Sequence, residues 1–438
     1  MLAEREFRSL FLAETISTAG DQIAAVAVAV LVYARTGSPL LAGLGYAATY
    51  LPWLLGGPVL SAWAGRFSPR RVLVSCDLIR AVVIGVASLR GVSLPVLAVA
   101  VFVTAWLAPP FEAVSGALLP RILDGERYVV ASAARQIVHQ SLQLGGFVAG
   151  GLVVALVGSH SALALDALSF LGSAALLGAG LQDRPAPRRR TPAGQEPGDE
   201  PGQEPGQEPG DEPGAELGRR PAREAAREPE PSAVGDALAA ARTVARDPRL
   251  RRPLLLAMVG AAYVIAPEAV APAYVAQLGG GPAQVGLVMA AAAGGNVIGA
   301  LLLGRFVTPA TRARAMWPMA ILGTVPLLAV VTTPTLGPSL VLFALAGGCS
   351  AFQIPARAAF AAAVPEDCAA AVFGTAMTGL YAVQSAAVLG TGALAGQMPA
   401  APAIALIALA GMLCTLRLRP ERQDRVGGDG TAGAMLVR

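Results

Sequence analysis

Apolar residues in this chain form unbroken stretches rather than short alternating runs, and a helical stretch of about 20 apolar residues crosses the hydrocarbon core of a bilayer. Polar breaks divide the chain into twelve expected spans, at 9–32, 40–64, 71–90, 94–119, 136–157, 161–181, 253–277, 283–304, 313–332, 336–362, 370–396 and 400–417. Strands of a membrane barrel would instead read as segments of roughly 10 residues alternating in polarity. The pattern therefore predicts an all-α polytopic membrane protein with six spans in each half.

The two halves echo one another. Gly65-Arg66-Phe67-Ser68-Pro69-Arg70-Arg71 separates the second and third spans, and Gly304-Arg305-Phe306-Val307-Thr308-Pro309-Ala310-Thr311-Arg312 separates the eighth and ninth. Gly56-Gly57-Pro58-Val59 precedes the first island and Gly294-Gly295-Asn296-Val297 the second. A corner of this kind once per half indicates a duplicated bundle, an architecture typical of solute carriers.

Composition agrees with a membrane protein: 54% of residues are hydrophobic and 14% charged, where an average soluble chain carries about 25% charge. Every one of the 33 basic residues is Arg, which with the abundant Ala, Gly and Pro reads as coding bias, so the +4 net charge implies no nucleic-acid partner. Arg position sets orientation. Arg5, Arg8, Arg66, Arg70, Arg71, Arg121, Arg127, Arg135, Arg305, Arg312, Arg314, Arg357, Arg417 and Arg419 fall on one side, and Arg35 and Arg90 on the other. The Arg-rich side is expected to be cytoplasmic, with both termini inside and the protein in the cell membrane. No cleavable signal is expected, because the first apolar run continues too far.

The expected organisation is a first bundle over 1–181, a cytoplasmic linker over 182–250, a second bundle over 251–420 and a tail over 421–438. Residues 195–214 are five tandem copies of a Gln/Asp-Glu-Pro-Gly tetrapeptide, a composition that cannot bury a core and is expected to be disordered. Residues 232–246 read as an amphipathic helix along the inner membrane surface, with Val234, Leu238, Ala241 and Val244 on its apolar face.

Ionisable groups inside spans are costly and point to function. Asp21 lies near mid-depth in the first span. A carboxyl removed from water takes up a proton more readily than one in water, which is what a proton-coupled carrier needs; the other reading is a structural Asp at a bend beside Gly20. Asp77 and Arg80 share a helix face and are expected to brace an inner gate as an ion pair. Glu112 follows Pro109-Pro110, whose kink suits a cavity-lining helix, and is expected either to bind substrate or a proton, or to pair with Arg121 or Arg135. Glu268 follows Pro267 and has the same coupling or substrate reading beside an outer-gate one. Asp166 is expected at the outer gate. His139, Gln140 and Gln143 form a polar stripe on the fifth span, and His139 is a further proton candidate. Asn296 and Gln384 are expected between helices or on the cavity wall. Gly146 with Gly150, and Gly392 with Gly396, are small-residue seams that allow close helix approach.

Cys76, Cys349, Cys368 and Cys414 have neither metal-ligand nor disulfide-framework spacing, and no hydrolase, nucleotide-binding or metalloprotease signature is present, so neither an enzyme nor a cofactor is expected. Energy for uphill movement would then come from an ion gradient.

Phe7-Arg8-Ser9-Leu10-Phe11, the 17–21 segment, Thr36-Gly37-Ser38-Pro39-Leu40-Leu41-Ala42-Gly43, Asp77 to Arg80, the 164–171 segment and the basic island together resemble the major facilitator superfamily. Within it they are similar to the twelve-span drug:proton antiporter branch that includes macrolide and siderophore exporters. The resemblance covers nearly all of 5–420 outside the linker. Arg66, Arg70 and Arg71 match the family's Gly-x-x-x-Asp-Arg-x-x-x-Arg-Arg loop. Ser61 stands where that loop has Gly, and Gly65 where it has Asp; Gly146-Phe147 stands where the antiporter pattern has Gly-Pro. The resemblance implies two six-helix bundles about a central cavity, alternating access, and a monomer in contact with lipid. It also implies export of a small amphipathic compound against a proton gradient, with Arg66, Arg70, Arg71, Asp77 and Arg80 at the inner gate. An importer or uniporter of a small nutrient, and a non-transporting membrane scaffold or sensor, are the alternatives.

Overall fold

Proline and glycine set where the helices of this chain break. In the computed structural model, which describes residues 4–47, 52, 67–123, 125–183, 233–333, 335–364 and 369–419, the described residues are nearly all helical. The first half comprises α1 (Arg5–Thr36), α2 (Pro39–Ala47), α3 (Pro69–Ala87), α4 (Leu94–Trp106), α5 (Ala108–Ile122) and α6 (Gly125–Gly180). After α7 (Ala233–Arg246), the second half comprises α8 (Pro248–Val264), α9 (Ala266–Ala269), α10 (Ala271–Gln277), α11 (Pro282–Phe306), α12 (Pro309–Leu322), α13 (Thr324–Ala329), α14 (Leu336–Ser350), α15 (Gln353–Ala363), α16 (Ala369–Ala395) and α17 (Ala400–Arg417). Nine helical segments are long and apolar enough to cross a membrane among the described residues, and the order is consistent with twelve passes. Arg66, Gly65, Ser61, Cys368, the 195–214 repeat and the 421–438 tail lie outside the described residues.

Several predicted spans are two or three helices in line, because proline lacks an N–H and cannot join the i→i−4 ladder. The span with Pro109 and Pro110 breaks at Leu107 between α4 and α5. Pro267 and Pro272 divide the seventh span into α8, α9 and α10. Conversely, the fifth and sixth spans run together as α6, turning at Gly158, whose φ of 81° and ψ of 162° only glycine adopts readily. The duplicated islands carry the same capping chemistry. Ser68 and Thr308 each accept a backbone hydrogen bond three residues on, from Arg71 and Thr311 at 3.4 Å, with proline at the first helical position.

Arg5, Arg70, Arg71, Arg121, Arg305 and Arg312 mark one end of the bundle, the basic face. On it, Arg70 donates to the Gly178 carbonyl, and Asp183 accepts from Ser68 Oγ at 2.7 Å while lying 3.5 Å from Arg71. The Ser68 hydroxyl, with the Arg71 and Arg70 guanidiniums, holds the Asp183 carboxyl below its ordinary range. At the far face, Arg35 donates to the Val92 carbonyl at 2.5 Å and lies 3.2 Å from His160. Outward helix surfaces carry exposed apolar side chains such as Leu156 (74%) and Leu301 (67%), as a lipid-facing surface requires.

The α7 helix departs from expectation. Ala240 and Val244 are buried in a cluster with Leu250, Phe360, Val372 and Ala376, so its described apolar face packs on α15 and α16. Ala241, expected on that face, is exposed; the side chains of Val234 and Leu238 lie outside the described residues.

The halves meet toward the far face through bare backbone. A Cβ on Gly286 of α11 would collide with the Phe147 carbonyl oxygen and lie 2.8 Å from the Gly151 Cα of α6. A Cβ on Gly392 of α16 would lie 3.1 Å from the Leu40 Cα of α2. Gly146 and Gly150 allow the close approach expected of them by seating α6 against Gln22 and Ile23 of α1 within the first half. The seam between the halves is one residue further on, at Gly151.

Replacing Gly286 with Val must push backbone away from backbone. The variant is expected to lose about 1–3 kcal/mol of stability, the usual cost of overpacking, read as a lower thermal midpoint in detergent. In a cysteine-free background, labelling of Leu40→Cys is expected to rise as the far face parts. Gly116→Ala, where a Cβ would meet nothing within 4 Å, serves as the control.

Candidate functional site

A charged side chain held in a membrane interior must find its partner there, because removing charges from water costs several kcal/mol per ion. Arg80 on α3 is the centre of such an arrangement. Its side chain is 5% exposed and its Nη1 lies 3.8 Å from Oδ1 of Asp77, one turn earlier and fully buried. Ser173 of α6 donates to the other Asp77 oxygen at 2.5 Å. The Arg80 guanidinium lies 5.4 Å from the ring centres of both Phe111 of α5 and Phe170 of α6, within cation–π range. One side chain thus ties α3 to α5 and α6.

Two cavities border Arg80. The larger, about 460 Å³, lies between mid-depth and the basic face. Its wall carries Glu14, Asp21, Glu112, Arg135 and His139 from the first half and Tyr381 from α16 of the second. Glu112 and His139 are exposed on that wall. The smaller, about 270 Å³, extends from Asp21 and Arg80 toward α2 and is lined by Gln143, Phe147, Thr104 and Asp166 among others. Asp21 and Arg80 belong to both walls.

The sequence reading missed Glu14. It lies two turns before Asp21 on α1, on the same face of the helix, and accepts two hydrogen bonds from Arg135, at 2.7 and 2.6 Å. Ser115 of α5 accepts a third from the same guanidinium at 3.2 Å. Glu112 is consequently not the partner of Arg135. The signal was available: Glu14 sits inside the first predicted span, seven residues before Asp21. Tyr381 carried no such signal, since its place on the wall depends on how the halves dock.

The other candidates divide. Asp21, Glu112 and His139 come together on the larger cavity, and Asp77 and Arg80 form the expected pair. Asp166, expected at the outer gate, lines the smaller cavity. It is eight residues past the Gly158 turn, about 12 Å in at 1.5 Å per residue, so it reaches mid-depth. Glu268 on α9 and Gln384 on α16 line neither cavity. Asn296 of α11 donates to Ser350 Oγ of α14 at 2.8 Å and joins those helices. Arg70 and Arg71 bind at the basic face, to Gly178 and Asp183.

The chain matches the family model described as Major Facilitator Superfamily over residues 10–388. No curated protein matches it. Solved structures with the same fold include the POT family transporter PepTSo, at 10% identity and a TM-score of 0.67, covering 95% of this chain and 97% of that one. A bacterial homologue of the iron transporter ferroportin in an inward-facing state matches at 12% identity and a TM-score of 0.61, covering 94% and 98%. The nucleoside transporter NupG matches at 13% identity and a TM-score of 0.62, with the same coverage.

Replacing Asp77 with Asn would take from the buried Arg80 the carboxylate it pairs with. The expected cost is about 3–5 kcal/mol, typical of one partner lost from a buried pair. Removing both charges, with Asp77→Asn and Arg80→Gln together, is expected to cost less than Asp77→Asn alone. Thermal midpoints in detergent check this; additive losses would show that the two residues do not act as a pair.

Proposed function

The chain belongs to the major facilitator superfamily and is a multi-pass membrane transporter, and on that premise we propose that it exports a small amphipathic organic compound in exchange for protons, by alternating access. The observation that carries this reading is the acidic cavity between the halves. Glu14 is neutralised by Arg135, and Arg80 by Asp77, which leaves Asp21 and Glu112, among the described residues, as the negative groups of the wall without a salt bridge. Beside them stand Phe11, Phe111 and Tyr381, giving a wall with both charge and aromatic surface. Such a wall accepts an amphipathic molecule, and its carboxyls accept protons in the molecule's absence. Competition of the two for the same carboxyls is the simplest physical basis for exchange.

The excess of arginine at the basic face makes that face cytoplasmic in this reading. The halves then close at the outside, through Gly151–Gly286 and Leu40–Gly392, while the larger cavity faces the cytoplasm: an inward-open state ready to load. Rocking of the second half about its glycine contacts would expose the same wall to the outside. The inner gate would be made by Arg66, Arg70 and Arg71 with the Asp77–Arg80 pair, and the energy source would be the proton gradient.

Transport in inverted vesicles across a panel of amphipathic compounds tests the reading. With an imposed inside-acid gradient, a transported compound is expected to accumulate and to dissipate the gradient. Asp21→Asn is expected to reduce that dissipation at least tenfold. Uptake that ignores the gradient for every transported compound would replace antiport with uniport, and accumulation in right-side-out vesicles instead would reverse the direction.

A further inference from the structure

The smaller cavity holds more acid than a substrate-binding role explains. Gly20 of α1 has no side chain, and a Cβ there would collide with both Asp166 Oδ1 and Ser169 Oγ. The second segment of α6 therefore seats its Asp166 carboxyl directly against the backbone of α1, one residue before Asp21. Both carboxyls line the same cavity of about 270 Å³. Asp166 is fully buried. Its Oδ1 lies 3.3 Å from Ser169 Oγ, a hydroxyl that also donates to the Asp166 carbonyl at 2.7 Å, and its Oδ2 has no hydrogen-bond partner among the described residues. Two further buried polar atoms of this cavity's lining residues are unpartnered in the same way, Thr104 Oγ1 and Arg80 Nε.

The charges around this cavity do not balance. Facing it are Asp21 from α1, Asp166 from α6 and Arg80 from α3, with Asp77 behind Arg80. Glu14 and Glu112 lie on the larger cavity, and Arg135 is committed to Glu14. His139 is on that larger wall as well. One guanidinium thus stands against three carboxyls, one of which is already its partner. Two further carboxylates on the wall of one small cavity in a low dielectric repel, and the repulsion is relieved when the two hold one proton between them.

We propose that Asp21 and Asp166 form one proton-binding pair, in which a single proton is shared across the α1–α6 contact at Gly20, and that Asp166 is a carrier of the transported proton. The proposal rests on the antiport reading above for its role in transport, but not for the existence of the pair. Release breaks the carboxylic O–H bond and passes the proton to water in the larger cavity, since Asp21 borders both. The pair is left with two negative charges beside Arg80. Arg80 is the cation placed to answer them, and doing so would draw it from Asp77. Protonation of the pair is in this way tied to the side chain that holds α3, α5 and α6 together.

Infrared difference spectroscopy of the full chain in liposomes tests this with the proton itself as probe. Between acid and neutral pH, wild type is expected to show a carboxylic C=O band that shifts in D2O. Asp21→Asn and Asp166→Asn are each expected to remove or shift that same band, with the double variant adding nothing. Asp166→Glu is expected to keep a displaced band, and Asp183→Asn, outside the membrane, to leave it unchanged. Elution profile and helical circular dichroism report whether each variant folds. If the Asn variants do not fold, Asp166→Glu decides, and an undisplaced band overturns the proposal. It is also overturned if Asp166→Asn leaves the band intact, or if the two Asn variants remove separate bands additively. A shared band in a protein whose transport ignores the pH gradient would sink antiport and leave the pair standing; gradient-driven transport without a shared band would do the reverse.

Discussion

A guanidinium in hydrocarbon must be surrounded by its own counter-charges and ring faces, and Arg80 imposes that condition on the first half of this protein. Asp77 and Ser173 hold one side, and Phe111 and Phe170 hold the flanks. These groups come from α3, α5 and α6, so the three helices are positioned by one cation. The proline break at Leu107 serves the same end, since α5 starts there and brings both Phe111, beneath Arg80, and Glu112 to the wall of the larger cavity. Charge, kink and cavity are one construction.

Contact between the halves rests on different physics. Lipid tails are as apolar as leucine, so helices in a membrane gain little by hiding leucines from them and associate by close packing instead. Gly151 and Gly286 bring main chains to distances no larger residue permits, and Leu40 lies tightly against Gly392. These contacts carry no charge and interlock few side chains. A seam of this type holds by shape, and it can part without stranding a polar group. The Asp77–Arg80 and Glu14–Arg135 pairs both lie inside the first half, where parting would be costly.

Much of this was legible in the sequence, and the remainder was hidden for definite reasons. Spans, duplication and the Asp77–Arg80 pair depend on local spacing along one helix, which periodicity reports directly. The prolines at 109, 110, 267 and 272 marked breaks that the structure places within a residue or two. Glu14 was within reach of the same reasoning, being two turns from Asp21. The role of Arg135 was not, because its partner is 121 residues away in the chain. The place of Asp166 on the smaller cavity against Gly20 was hidden for the same reason, since that contact joins residues 146 positions apart in the chain. Which helix each bare position faces was hidden for a related reason. Gly146, Gly150 and Gly151 are all bare, and only the docked partner shows that the first two face α1 and the third faces α11.

The two halves, duplicated in sequence, have divided their labour. The second half is joined by neutral hydrogen bonds: Asn296 to Ser350, Tyr274 to Ser339 at 2.5 Å, and Trp317 to the Thr415 carbonyl at 2.9 Å. Its share of the larger cavity is Tyr381, while the carboxyls and guanidiniums come from the first half. The second half can move against the first without carrying the carboxyls and guanidiniums of this cavity through the hydrocarbon. What its movement changes is the water around Asp21 and Glu112, and water is what decides whether a carboxyl keeps its proton. The mechanical step and the proton step are therefore linked through hydration of fixed groups, and the charged residues need not travel for the transporter to be driven by charge.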